Sequence, residues 1–125
     1  MNATIAARWI ESLRSGDYQQ GKNLLKQKYD SGQDAYCCLG VLCELYLQDH
    51  PDSPFQPALQ PNSPRATSDN GDLYLFGREW EVPPKEIQEW AGISKSSCEE
   101  LAEYNDTGES FAELAYRIGE YAERL

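Results

Sequence analysis

Residues 35–47 read Ala-Tyr-Cys-Cys-Leu-Gly-Val-Leu-Cys-Glu-Leu-Tyr-Leu, with Glu44 the only charge in the run. The run is too long for an ordinary strand and apolar all round rather than along one stripe. It therefore predicts a buried helix over about 35–48, capped by Asp34. The other elements must then pack around that helix. Cys37, Cys38, Gly40 and Cys43 are small enough to let neighbours approach it closely, and a reduced Cys packs as a small hydrophobe.

The flanking sequence supplies candidate neighbours. Ile5, Trp9, Ile10 and Leu13 recur at helical spacing over 3–14, with Asn2 as N-cap and Ser15-Gly16 as the stop. Residues 17–33 are polar and basic around Leu24-Leu25, and either a short helix or a hairpin fits them. Residues 49–72 hold five of the seven prolines, so a long loop without regular structure is expected. Residues 73–82 alternate around Gly77 and predict a small β-hairpin. Pro83-Pro84 ends it and opens a helix over about 85–91 that stops at Gly92. Ser96 or Ser97, each with a Glu three residues on, starts another at about 97–104. Ser110 and Glu113 form a capping box for the last helix. Its apolar face is Phe111, Leu114, Ala115, Ile118, Ala122 and Leu125, and Glu113–Arg117 and Glu120–Arg124 are i,i+4 pairs. The expected fold is α+β, mainly α: a single domain over 1–125 with four to five helices around the buried helix and a small β-hairpin at about 73–82.

Charge limits the function classes. The 125 residues carry 21 acids against 11 bases, a net charge of −10. The excess lies wholly beyond residue 48, which argues against direct nucleic-acid binding. No segment resembles a signal peptide or a membrane span, so the chain is expected in the cytoplasm with its thiols reduced. A zinc site is not expected, because Cys37 and Cys38 are adjacent and His50 is the only imidazole. No cofactor motif is present. His50 lies seven residues past Cys43, and Cys37, Cys38 and Cys43 are expected to pack in the core. The carboxylate pairs Glu79 with Glu81, Glu99 with Glu100 and Asp69 with Asp72 are ordinary in an acidic chain. No catalytic constellation is recognised, and an enzyme ranks last.

Four stretches carry a resemblance. They are Trp9 to Gly21, Tyr36 to Cys43, Pro83-Pro84 with Ile87 and Trp90 to Ile93, and Leu101 with Asn105 to Ala115. Together they resemble small proteins of unassigned function encoded by tailed phages and prophages. The resemblance implies an accessory protein of the host bacterial cytoplasm and favours counter-defence by binding. It implies no site residues.

The aromatic-plus-Arg set Tyr74, Arg78 and Trp80, with Arg65 on the preceding loop, suits a small anionic ligand. Guanidinium holds phosphate and aromatic faces stack on bases. One aromatic set of this segment equally suits the core. Asn105 and Asp106 precede the last helix and could read a polar edge, although the bland role of 105–108 is a turn capped by Ser110. Lys22, Lys26 and Lys28 are a second anion candidate. The first expectation is therefore sequestration of a nucleotide-like ligand. The alternative is an acidic inhibitor of a host defence or nucleic-acid-binding protein, using residues 98–125. A homo-oligomer is a further expectation.

Overall fold

A computed structural model of the chain describes residues 1–61 and 71–125. Asn2 opens α1 (Ala3–Arg14), its carboxamide oxygen accepting the Ile5 N–H at 3.0 Å. The stripe Ile5, Trp9 and Leu13 is buried, and Trp9 donates its indole N–H to the Cys38 carbonyl at 2.8 Å.

Residues 26–36 then form a hairpin rather than a helix. Its strands are β1 (Lys26–Tyr29) and β2 (Asp34–Tyr36), joined by a turn in which Gly32 has φ +91°. The central helix α2 (Cys38–Asp49) is buried along nearly its whole length, as expected, but starts three residues later than the apolar run suggests. Asp34 does not cap it. Its carboxylate turns to Lys28 Nζ at 3.1 Å and accepts the Tyr74 hydroxyl at 2.8 Å. Strand pairing has taken the first residues of the run. At Gly40 the helix touches the chain entering β1, and a Cβ there would land on the Leu25 carbonyl oxygen.

The sheet is antiparallel in the order β2-β1-β4-β3, with β3 (Pro57–Gln60) and β4 (Gly71–Phe76). Two expectations are corrected here. The proline-rich stretch 49–72 is not wholly irregular, because Pro57–Gln60 pairs with Leu73–Phe76. Pro57 opens an edge strand, where its missing N–H costs no ladder bond. Nor do residues 73–82 pair with themselves. β4 lies between β1 and β3, and beyond it only Phe76 and Glu79 exchange hydrogen bonds, of 2.9 and 3.1 Å, around Gly77 at φ +66°. Pairing with the preceding β3 and the distant β1 satisfies both edges of β4, which a local hairpin would not.

Helix α3 (Lys85–Ala91) ends at Gly92 with φ +71°, as the glycine implies. Helix α4 (Lys95–Asp106) is capped by Ser94, not by Ser96 or Ser97. Ser94 follows the buried Ile93, and its hydroxyl accepts the Ser97 N–H at 3.1 Å. Helix α5 (Phe111–Tyr121) carries the expected capping box. Arg117, however, forks onto Glu109 at 2.7 and 3.2 Å, with its guanidinium 3.6 Å from the Tyr104 ring centre. A bidentate, stacked pair outweighs a surface i,i+4 contact with Glu113. A 3₁₀ turn over Ala122–Arg124 takes Arg124 out of helical register with Glu120.

Helix α1 packs on α5, and α2 touches α1, α3, α4 and β2. The fold is α+β, mainly α, built around α2. Among the described residues no helix is long and apolar enough to cross a membrane.

Candidate functional site

After Gly77 the chain turns back, and Trp80 is held where its carbonyl accepts the Leu25 N–H at 2.7 Å. Residues 79–82 thereby come to face α4. A cleft of about 540 Å³ lies between them. Its α4 wall follows from helical spacing, since Glu99, Glu103 and Asp106 fall on one face. Glu79 and Glu81 stand on the other wall, with Trp80 and Val82 as its apolar part and Cys37 touching the floor. Five acidic residues thus line the cleft beside the half-buried Trp80, and among the described residues no Lys, Arg or His lines it. Asp106 is held in place, accepting the Asn23 N–H at 2.8 Å, with Asn23 at φ +69°. Among the described residues no three His, Cys, Asp or Glu side chains converge on a point suited to a metal ion. The arrangement suits an extended organic cation: guanidinium or ammonium groups meet carboxylates, and a flat cation stacks on the indole.

Of the residues singled out from the sequence, Trp80 and Asp106 come together in this cleft. Asn105 lies behind it, fully buried, with its amide committed. Its oxygen accepts the Cys38 N–H at 3.2 Å and the Gln20 carboxamide at 3.0 Å. Its NH₂ donates to the Gly21 carbonyl at 2.9 Å and to Asp106 at 3.2 Å. Two donors and two acceptor positions are all an Asn has, so none is left for a ligand. Gln20 extends the clamp, donating to the Glu109 carbonyl at 2.7 Å and accepting the Phe111 N–H at 3.1 Å. The 105–111 motif therefore ties α4 and α5 to the segment before β1 and to the start of α2.

Tyr74 and Phe76 are both buried and belong to the core. Burial, with the hydrogen bond to Asp34, raises the Tyr74 phenol above its usual range. Arg78 is exposed on the Gly77 turn and does not line the cleft. Arg65 and Asp69 lie outside the described residues. The Arg-aromatic set of 65–80 is thus not assembled among the described residues. Nor do the lysines form an open anion site. Lys26 is buried against Glu44 at 3.2 Å with its ammonium 4.6 Å from the Tyr74 ring centre, and Lys28 pairs with Asp34.

All four thiols are buried, as expected of core cysteines. Burial pushes Cys37 and Cys98 up to about 12, and Cys38 and Cys43 well above the ordinary value. His50 is stacked on Tyr46 at 4.2 Å with Nδ1 2.9 Å from the Tyr46 carbonyl. Since the thiolate is the reactive species, Ellman's reagent is expected to label none of the four at pH 8 within minutes and all four in denaturant. One fast-reacting thiol in the folded protein would contradict the burial of these side chains.

Of the cleft acids, Glu79 with Glu81, Glu99 and Asp106 are singled out by the sequence; Glu103 is not, and Glu100, the expected neighbour of Glu99, lines another cavity. What sequence reasoning lacked was the turn at Gly77, which sets Glu79 and Glu81 opposite Glu99 and Glu103. A family model described as a domain of unknown function (DUF8296) matches residues 1–122. No curated protein and no solved structure matches the chain.

Proposed function

We propose that this chain, which belongs to the DUF8296 family, is a non-enzymatic binding protein whose acidic cleft receives a basic segment of a partner protein. The observation that carries this reading is the cleft lined by five acidic residues beside Trp80, with no cation lining it among the described residues. An Arg-bearing segment would find bidentate acceptors on α4 and on residues 79–81, and a ring face on Trp80. The net charge of −10 would draw such a segment in from a distance. The resemblance to phage-encoded proteins supports a host protein as the partner, a defence or nucleic-acid-binding factor in the bacterial cytoplasm whose basic surface the cleft would occupy. An anionic ligand is disfavoured in this cleft, because the one aromatic of the 65–80 set that lines it stands among carboxylates.

The test is calorimetric titration of the whole chain with an Arg-rich peptide and with a composition-matched peptide bearing citrulline in place of Arg. The Arg peptide is expected to bind at least about tenfold more tightly at low salt, and its affinity to fall about tenfold as the Debye length shrinks from roughly 14 to 6 Å. Equal affinity for the two peptides, or affinity indifferent to salt, would remove the cleft as a cation site.

A further inference from the structure

The opposite side of α4 carries arginines and tyrosines. A second cavity, of about 340 Å³, opens between α4 and the end of α5. Tyr104, Tyr121, Arg117 and Arg124 line it, and Glu100 is the one lining carboxylate side chain. The two guanidiniums are differently held. Arg117 lies flat on Tyr104 and gives Nε and Nη2 to Glu109, a pair in which Nη1 takes no part. Arg124 is exposed, forms no ion pair among the described residues, and sits 6.0 Å from the Tyr121 ring centre. Tyr121 is itself 47% exposed, one of two large hydrophobic side chains standing out among the described residues. The Leu125 carbonyl at the rim is engaged by the Ser94 N–H at 3.0 Å and the Ser97 hydroxyl at 3.2 Å.

We propose that this cavity binds a planar aromatic anion of mononucleotide size. The aromatic ring would stack on the open face of Tyr121, and the anionic group would lie between Arg124 and Nη1 of Arg117. The cavity's size and its held guanidinium point to this class. The volume is at the small end of ligand cavities, about 300–1,000 Å³, which suits one ring system with one anionic group. Arg117 is pre-oriented by its ring and its carboxylate, so little side-chain entropy is lost on binding. Arg124 is the lining cation that no carboxylate of the described residues pairs. Aromatic stacking with guanidinium is the chemistry expected of residues 65–80, and here the pieces come from α4, α5 and the 3₁₀ turn. The site shares no lining residue with the acidic cleft, and neither reading depends on the other.

The experiment is titration of the full chain with the four common ribonucleoside monophosphates, with adenosine and with inorganic phosphate, followed by amide NMR shifts. At least one monophosphate is expected to bind with Kd below about 1 mM and to shift residues 97–104 and 117–125. Adenosine and phosphate are each expected to bind at least about tenfold more weakly. Arg124→Ala and Tyr121→Ala change exposed side chains and should leave the melting temperature in place while each weakens the monophosphate about five- to tenfold. Three outcomes would overturn the proposal: no monophosphate binding below that limit, phosphate or adenosine binding as well as the monophosphate, or unchanged affinity in both variants.

Discussion

Asn105→Ala is expected to destabilise the fold by roughly 3–4 kcal/mol and lower its melting temperature by roughly 10–15 °C. Truncation removes an amide that makes four hydrogen bonds at 0% exposure. It orphans the Cys38 N–H at the start of α2 and the Gly21 carbonyl. Each buried orphan costs about 1–3 kcal/mol, and the vacated volume adds to that. The Cys38 N–H matters most. The N-cap of α2 is Cys37, which makes no side-chain cap bond, so Asn105 is the long-range substitute for a cap. Asn105→Asp sharpens the test. The carboxyl keeps an acceptor for Cys38 but, when ionised, sets a buried charge against the Gly21 carbonyl. Burial, with the second oxygen set against the Gly21 carbonyl and the Asp106 carboxylate, raises its folded pKa above the unfolded value of about 3.9. A raised carboxyl pKa contributes stability below the unfolded pKa and loses it as pH rises through the folded one. The deficit of Asn105→Asp relative to the parent is therefore expected to be smaller in urea melts at pH 4 than at pH 7. A parent-like melt for Asn105→Ala would mean that the clamp is not structural and that the amide is free for a ligand.

This role also shows where sequence reading succeeds and where it stops. Helices α1 and α5 are legible because cap and stripe are local: Asn2 with Ile5, Trp9 and Leu13, and Ser110 with Glu113 and the Phe111 face. The sheet is not legible. β1 is Lys-Gln-Lys-Tyr, with no apolar alternation to mark it, and β4 pairs with β1, far back in the chain, as well as with the preceding β3. Asp34 precedes the longest apolar run and so resembles a cap, yet the Lys26–Lys28–Tyr74 cluster captures it. The same competition explains Arg117, which leaves the helix pair for Glu109 and Tyr104. Of the acidic cleft, the α4 face of Glu99, Glu103 and Asp106 can be read from helical spacing alone. Its opposing wall depends on the Gly77 turn, and Asn105 is an ordinary turn residue until the tertiary positions of Gln20 and Cys38 are known. Polar residues that join distant segments look, in sequence, like polar residues that meet ligands.

The triple substitution Glu79→Gln, Glu99→Gln and Glu103→Gln is expected to weaken binding of an Arg-rich peptide about 100-fold at low salt. Each carboxylate facing a partner cation contributes a few-fold to tenfold when the pair is partly desolvated, and the three draw on the same incoming charge. All three side chains are exposed, and none forms an ion pair among the described residues. The parent melting temperature should therefore hold, or rise slightly as like charges across the cleft are relieved. Trp80→Ala separates the second component. Loss of the ring face should weaken the peptide about tenfold while leaving the salt dependence of the parent intact, because the carboxylates remain. The triple variant should instead flatten that salt dependence. Binding of ribonucleoside monophosphates should be the same in the triple variant and the parent, since no substituted residue lines the cavity of Arg117 and Arg124. A triple variant that holds the peptide as tightly as the parent, with the same salt slope, would show that the five carboxylates are only a solvated face and that the basic partner docks elsewhere.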